Sequence, residues 1–242
     1  MVPSTYEAGK LYNVLPSGNR APDNKGGAGY DQTRADFDFD RGSNAAATRI
    51  NSSGLIEKYR ENVLLQSNQF DTTWTNSNTT DTGGQSGYDG SLDAWLLEKS
   101  ATAYSSIYQS TTITGVYTFS VYAKAGTASI MTLRDGSTQR AIFDLSTGSV
   151  SSTAGSPVDA KIQAVSGAAG WYRCSITMTT ATPLVQIYVG WNDATAGNIY
   201  IQSAQLESGL VATDVLTSGA TTGKAGVLID LPRINYDANG EN

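Results

Sequence analysis

The sequence predicts an all-β protein of antiparallel strands, closed as a two-sheet sandwich or a barrel. Three observations carry that prediction. First, Tyr117–Gly126 (YTFSVYAKAG), Trp171–Met178 (WYRCSITM) and Ile199–Glu207 (IYIQSAQLE) alternate apolar and polar residues with a period near two, as a strand does when one face lies in a core. Second, turn signals recur between short runs: Thr82-Gly83-Gly84, Asp89-Gly90, Asp135-Gly136, Ser146-Thr147-Gly148, Ser166-Gly167 and Ala196-Gly197-Asn198. Short strands at such spacing build a sandwich or barrel. Third, no strand–helix alternation is visible, which argues against a parallel α/β sheet. Composition agrees: hydrophobic residues are 39% and glycine is abundant, a mix suited to strands and turns rather than packed helices.

The elements follow in order. Residues 1–35 are broken by Pro3, Pro16, Pro22 and the run Gly26-Gly27-Ala28-Gly29, so no long helix forms there. They read as an extended arm whose apolar and aromatic anchors, Tyr6, Leu11, Tyr12, Val14 and Leu15, dock on a neighbour. Residues 36–61 read as a β-hairpin linker. Within it, Thr48-Arg49-Ile50, a turn at Asn51-Ser52-Ser53-Gly54 and Leu55-Ile56-Glu57 make the hairpin. Asp36, Asp38 and Asp40 have a calcium-loop spacing, but Phe37 and Phe39 intervene and no glutamate follows at loop distance, which favours a solvated strand face.

Residues 62–216 form the main domain. Its expected strands are Asn62–Gln66, Ala94–Lys99, Ser106–Thr111, Tyr117–Lys124, Ile130–Arg134, Arg140–Asp144, Lys161–Val165, Trp171–Thr179, Leu184–Gly190, Ile199–Gln205 and Ala212–Leu216. Residues 217–242 read as a C-terminal linker leading to further sequence. Leu228-Ile229-Asp230-Leu231-Pro232-Arg233-Ile234-Asn235 there echoes Leu55-Ile56-Glu57-Lys58-Tyr59-Arg60-Glu61-Asn62. Two copies are too few for a solenoid and suggest a linker unit at each end of the domain.

Several function classes are disfavoured by composition. With 242 residues the chain can bury one sizeable β core. A net charge of −6 disfavours a phosphate-backbone partner. Histidine is absent, which removes the commonest general base, the usual Ser-His pairs and most zinc sites. The single cysteine, Cys174, lies on the apolar side of its strand and reads as a buried small hydrophobe. No run approaches the roughly 20 apolar residues of a membrane span, and the first twenty residues have no apolar core of a signal peptide. The chain is therefore expected to be made in a cytoplasm.

Asn62-Val63-Leu64-Leu65-Gln66-Ser67-Asn68-Gln69-Phe70 followed by Trp74 resembles the opening of carbohydrate-binding-module-like β-jelly-roll domains. Tyr117–Gly126, Gly170–Ser175 and Ile199–Glu207 complete the set in order. Together with Ala8-Gly9-Lys10-Leu11-Tyr12 and Phe39-Asp40-Arg41-Gly42-Ser43, the chain resembles head-spike and tail-fibre proteins of tailed bacteriophages. That resemblance implies an antiparallel jelly roll and a structural virion protein. Its arm would anchor to capsid or tail proteins, and its jelly roll would project toward host-surface glycans. A homo-oligomer follows, a trimer before a dimer, located in the virion after synthesis in the host cytoplasm. The alternative is a stand-alone carbohydrate-binding module, and a polysaccharide-degrading enzyme ranks last. No cofactor and no metal are expected: where related jelly rolls hold calcium with paired aspartates, this chain has Gln202 and Ser203.

Sugar recognition needs aromatic rings to stack on pyranose faces, with polar groups beside them. The glycan-binding candidates are Tyr122, Arg134, Arg173 and Tyr188 on non-core strand faces and Trp191 in a loop, with Trp74, Tyr88 and Asn192 as further loop candidates. Each aromatic has a structural reading beside the functional one: Trp74 and Trp191 as caps on the sandwich ends, Tyr188 as packing against the arm or a sister subunit. No catalytic residue is expected, because the carboxylates Asp81, Asp89, Asp135, Asp159 and Asp193 lie in turns and form no pair at glycosidase spacing. Lys99, Lys124 and Lys161 read as solvated strand residues.

Overall fold

The computed structural model describes residues 59–179 and 184–225 in full, and Lys10–Leu11, Phe37–Asp38, Thr48–Ile50 and Ile56–Lys58 as backbone strands. The chain divides into two units, residues 1–60 with 225–242, and residues 61–224. In the first, Lys10–Leu11 pairs antiparallel with Phe37–Asp38, and Thr48–Ile50 with Ile56–Lys58, the hairpin expected from the sequence. The arm anchors Tyr6, Tyr12, Val14 and Leu15, the side chain of Leu11 and the second repeat copy at 228–235 lie outside the described residues.

Residues 61–224 form the sandwich. Its strands are β1 (Thr75–Ser77), β2 (Thr79–Gln85), β3 (Ala94–Lys99), β4 (Ser106–Ser110), β5 (Tyr117–Ala125), β6 (Ile130–Arg134), β7 (Arg140–Asp144), β8 (Ser149–Ala154), β9 (Asp159–Ala164), β10 (Trp171–Met178), β11 (Leu184–Val189) and β12 (Gly197–Ser208). They make two antiparallel six-stranded sheets. The first has the order β9-β10-β5-β12-β3-β2, the second β8-β7-β6-β11-β4-β1. The chain crosses repeatedly between sheets, as a jelly roll does.

The alternation that marks β5 is its two-sided environment. Phe119, Val121 and Ala123 are fully buried in the core, opposite Ile176, Cys174 and Tyr172 of β10. Met131, Leu133, Phe143 and Ile187 close the core from the second sheet. Fully burying a side chain of this size contributes about 1.5–3 kcal/mol, so the facing rows dominate stability.

In β12 the phase slips. Ile199 and Ile201 face the core, then Ala204 and Leu206 do. The register with β5 shifts between Ser120 and Tyr122, and Ser203 takes a φ of 53°. One extra residue is absorbed there as a β-bulge.

The strands not expected from the sequence, β1, β2 and β8, all lie at sheet edges. An edge strand needs few apolar residues, and SVSSTA and TTDTGGQ show no apolar alternation. The Gly83-Gly84 pair reads as a turn but lies within β2. Gly84 sits at a φ of 76°, the pairing with β3 shifts between Thr82 and Gln85, and a Cβ on Gly83 would lie 3.3 Å from the Trp95 ring. The glycines let the edge bulge over an indole.

Two expected strands are not strands. Strand structure near the first ends at Asn62: Arg60–Asn62 pairs with Gly223–Ala225, and residues 63–66 continue irregularly. Residues 212–216 bond instead to side chains of β12: Gln205 Nε2 donates to the Thr213 and Asp214 carbonyls, and Leu216 N donates to Gln205 Oε1. Side-chain amides have replaced a strand partner. Asn62 does the same work in the core. Its Nδ2 donates to the Ala204 and Leu216 carbonyls at 3.1 and 2.9 Å, and its Oδ1 accepts from the Leu64 and Leu206 amides.

Phe70, Trp74 and Trp95 plug one end of the core. The Phe70 ring meets both indoles, and the indole N–H groups of Trp74 and Trp95 donate to the Gln66 and Asn68 carbonyls. The opening motif of the domain is thus a stopper built of aromatic rings.

Candidate functional site

The outer face of the second sheet gathers a cluster of aromatic and cationic side chains. Register places them. Across β6 and β7, Arg134 faces Arg140 and Thr132 faces Ile142. Across β6 and β11, Arg134 faces Gln186 and Thr132 faces Tyr188. Gln186 in turn faces Tyr108 of β4. Because Met131, Leu133, Ile187 and Val189 point into the core, these alternate residues point outward.

Trp191 joins them from the loop after β11. Gly190, at a φ of 76°, and Asn192, at 48°, turn the chain sharply. The indole lies with its centroid 5.1 Å from the Tyr188 ring and 5.3 Å from the half-exposed Tyr104. The Arg140 guanidinium carbon sits 4.6 Å from the same centroid and that of Arg134 5.7 Å, both within cation–π reach. A cleft of about 500 Å³ lies beside Tyr108, lined also by Leu65, Thr73, Thr75, Gln109 and Thr111.

The two arginines are held differently. Arg134 donates through Nη1 to Gln186 Oε1 at 3.3 Å and to the Tyr188 hydroxyl at 3.4 Å, and through Nη2 to the Ser137 carbonyl. Arg140 packs on Trp191. The Nε of each, and Oγ1 of Thr132 two residues along β6 from Arg134, is buried without a protein hydrogen-bond partner.

Behind the cluster stands Lys99, and it is not the solvated strand residue that its sequence predicts. It is buried, 2% exposed. It points to the core side of β3, and its Nζ donates to the Asp193 carbonyl at 2.6 Å and to Asp193 Oδ2 at 3.3 Å. A buried ammonium must be paired, and this one finds its acceptors in the loop that carries Trp191. The Asp193 carboxyl is held below the ordinary range, chiefly by the backbone and side-chain hydrogen bonds of Thr195 and then by Lys99.

Tyr122 and Arg173 stand elsewhere, on the outer face of the first sheet, where they face each other across β5 and β10. The Arg173 guanidinium lies 5.4 Å from the Tyr122 ring centroid and donates to Ser120 Oγ at 3.2 Å. Tyr88 stacks on Tyr122 at 3.8 Å with ring planes 10° apart and meets Trp171 edge-on. Burial, then the neighbouring Tyr122, pushes the Tyr88 hydroxyl up to about 12. The five glycan candidates therefore fall into two groups on opposite outer faces: Arg134, Tyr188 and Trp191 on one, Tyr122 and Arg173 on the other.

Gln202 lies beside the second group. Its Nε2 donates to Asp93 Oδ1 at 2.6 Å and to Asp89 Oδ1 at 3.2 Å, and its Oε1 accepts from the Tyr88 amide. The amide protons serve both carboxylates directly. Among the described residues no group of three or more acidic, cysteine or histidine residues is placed to hold a metal.

Arg140, Tyr104 and Tyr108 were not among the sequence candidates. A signal for Arg140 did exist: Arg134 and Arg140 flank the turn at Asp135-Gly136, so a tight hairpin brings them face to face.

No family model matches the chain, and no curated protein matches it. Among solved structures, the chain is similar to the CBM22-2 xylan-binding domain of Paenibacillus barcinonensis Xyn10C, with 10% identity and a TM-score of 0.37 over 61% of this chain and 96% of that one. It is also similar to the CBM22-1–GH10 modules of the Clostridium thermocellum xylanase Xyn10B complexed with xylohexaose, with 13% identity and a TM-score of 0.36 over 65% of this chain and 30% of that one.

Proposed function

We propose that residues 61–224 form a non-catalytic carbohydrate-binding module that takes glycan on the outer face of its second sheet. One observation carries this reading: Tyr104 and Trp191, packed on the buried Tyr188 ring, converge with Arg134 and Arg140 on the outer side of one sheet, and Tyr108, two strands from Arg134, borders an open cleft. Aromatic rings offer flat apolar area to the C–H faces of a pyranose, and guanidinium groups offer donors to its oxygens. The arginines and Tyr188 sit on strands, and of the two loop residues, Tyr104 and Trp191, the second lies in a loop that Lys99 holds through Asp193. Little ordering entropy is then lost on binding.

The test is a glycan array followed by calorimetry on the best ligand, using the full chain. Trp191→Ala and Tyr104→Ala are expected to weaken binding at least about tenfold, the loss of one good contact, while Tyr122→Ala on the opposite face leaves it unchanged. Absence of binding to any glycan would sink the reading, as would loss in Tyr122→Ala with retention in Trp191→Ala.

The virion-fibre role, with its location in the particle, rests on the sequence resemblance and on arm anchors outside the described residues. The glycan reading requires neither. A fibre subunit carrying this face would use it at the host surface.

A further inference from the structure

We propose that the saccharide taken by this face is anionic, and that a sugar carboxylate is received by Arg140 with Arg134 beside it. The inference rests on the glycan reading above and adds the chemical class of the ligand.

The first ground is register. Arg134 and Arg140 are direct cross-strand partners on β6 and β7. Like charges placed so are destabilising, and among the described residues only the Trp191 ring and neutral acceptors, with no carboxylate, stand against this pair. The ion pairs among fully described side chains are Lys99–Asp193, Lys161–Asp159 and Lys224–Glu61. Among the described residues neither arginine has a carboxylate within ion-pair distance. The nearest acids in sequence are otherwise engaged: Asp135 is buried and accepts from the Ser137 amide and hydroxyl, and Asp144 accepts from Ser146 and Thr147. In a chain of net charge −6, two cations without a counter-charge stand out on one face.

The second ground is the pattern of unmet polar groups. Four buried side-chain polar atoms among the described residues lack a protein partner, and three of them belong to Thr132, Arg134 and Arg140 on this face. Such groups in a native fold call for an explanation, an unseen ligand among them.

The third ground is the division of labour between the arginines. Arg134 is spent on Gln186, Tyr188 and Ser137. Arg140 is oriented by the Trp191 ring, and no protein acceptor takes its donors. A ring-packed guanidinium is fixed in plane but keeps its donor edge. That planar fork matches a carboxylate in two-point fashion, where an ammonium would not. A uronic-acid-type residue unites the two demands of the face: a pyranose for the aromatic rings and a carboxylate for the fork.

Matched ligands test this. The full chain is titrated by calorimetry with an oligouronide, its neutral methyl ester, and sulfated and phosphorylated oligosaccharides of equal length. The acid is expected to bind about tenfold or more tighter than the ester, with a preference that shrinks as salt rises. In Arg140→Ala and in the charge-retaining Arg140→Lys that preference falls toward unity, and circular dichroism confirms the fold. Equal binding of acid and ester, or a preference intact in both variants, overturns the inference. Binding of the ester alone overturns it and leaves the glycan reading standing. A preference for sulfate or phosphate over carboxylate overturns the carboxylate assignment. Failure to bind any saccharide removes both readings.

Discussion

The ammonium of Lys99 ends 2.6 Å from the Asp193 carbonyl and 3.3 Å from its carboxylate, so a side chain from the inner face of one sheet moors the loop that presents Trp191. Its own side chain is 1% exposed and that of Asp193 51%. Two roles, packing and mooring, can be separated by substitution. Lys99→Ala removes three methylenes and the ammonium from the interior and is expected to cost about 2–5 kcal/mol, the range for emptying a long buried side chain. Lys99→Met restores most of that stability by refilling the space but leaves the loop unmoored. Urea unfolding should therefore separate the variants, while glycan affinity falls in both.

Asp193 also sets an acid limit. Its folded-state pKa is depressed, chiefly by Thr195. A carboxyl of this kind binds protons less readily when folded, so its contribution is complete above the unfolded value, near 3.8, and is lost as pH falls through the folded one. The Trp191 fluorescence environment should loosen below about pH 4, and the part due to this group should vanish in Asp193→Asn.

Tyr88 sets an alkaline one. Its pKa rises from 10.0 to about 12 because its ring is buried against Tyr122. The folded chain holds that proton more tightly, so the contribution is present below pH 10 and is lost as pH rises toward 12. Tyrosinate absorbance should show one group titrating near the top of this window, absent in Tyr88→Phe.

Asn62 ties distant stretches of backbone together with one side chain. Four buried backbone groups depend on its amide. Asn62→Leu leaves them unpaired and is expected to cost at least about 3 kcal/mol, since each unmet buried group costs about 1–3 kcal/mol. Asn62→Asp should be worse, because a carboxylate would face the Ala204 and Leu216 carbonyls. Denaturant midpoints decide both.

Cys174 should be chemically silent. It is fully buried opposite Val121, and burial pushes its thiol upward. Thiol reagents are expected to modify it only as fast as the domain unfolds, and a rapid stoichiometric reaction in native buffer would contradict that placement.

The central strands β5, β10 and β12 were legible because a strand between a core and an outer face must alternate, and alternation is written residue by residue. The burial of Cys174 followed from the same patterning. The edge strands were not legible, because their pairing comes from a neighbour's backbone and asks little of their side chains. Lys99 misled for a related reason: its position in β3 pointed inward, but only the distant Asp193 loop could make a buried ammonium tolerable. The sequence by itself thus determined the fold class and the inner rows of the sheets, since these depend on local chain geometry and burial. Which outward residues meet was decided by sheet order, strand register and the turn at Gly190. That tertiary arrangement separated Tyr122 and Arg173 from Arg134, Tyr188 and Trp191, and brought Arg140 onto the indole.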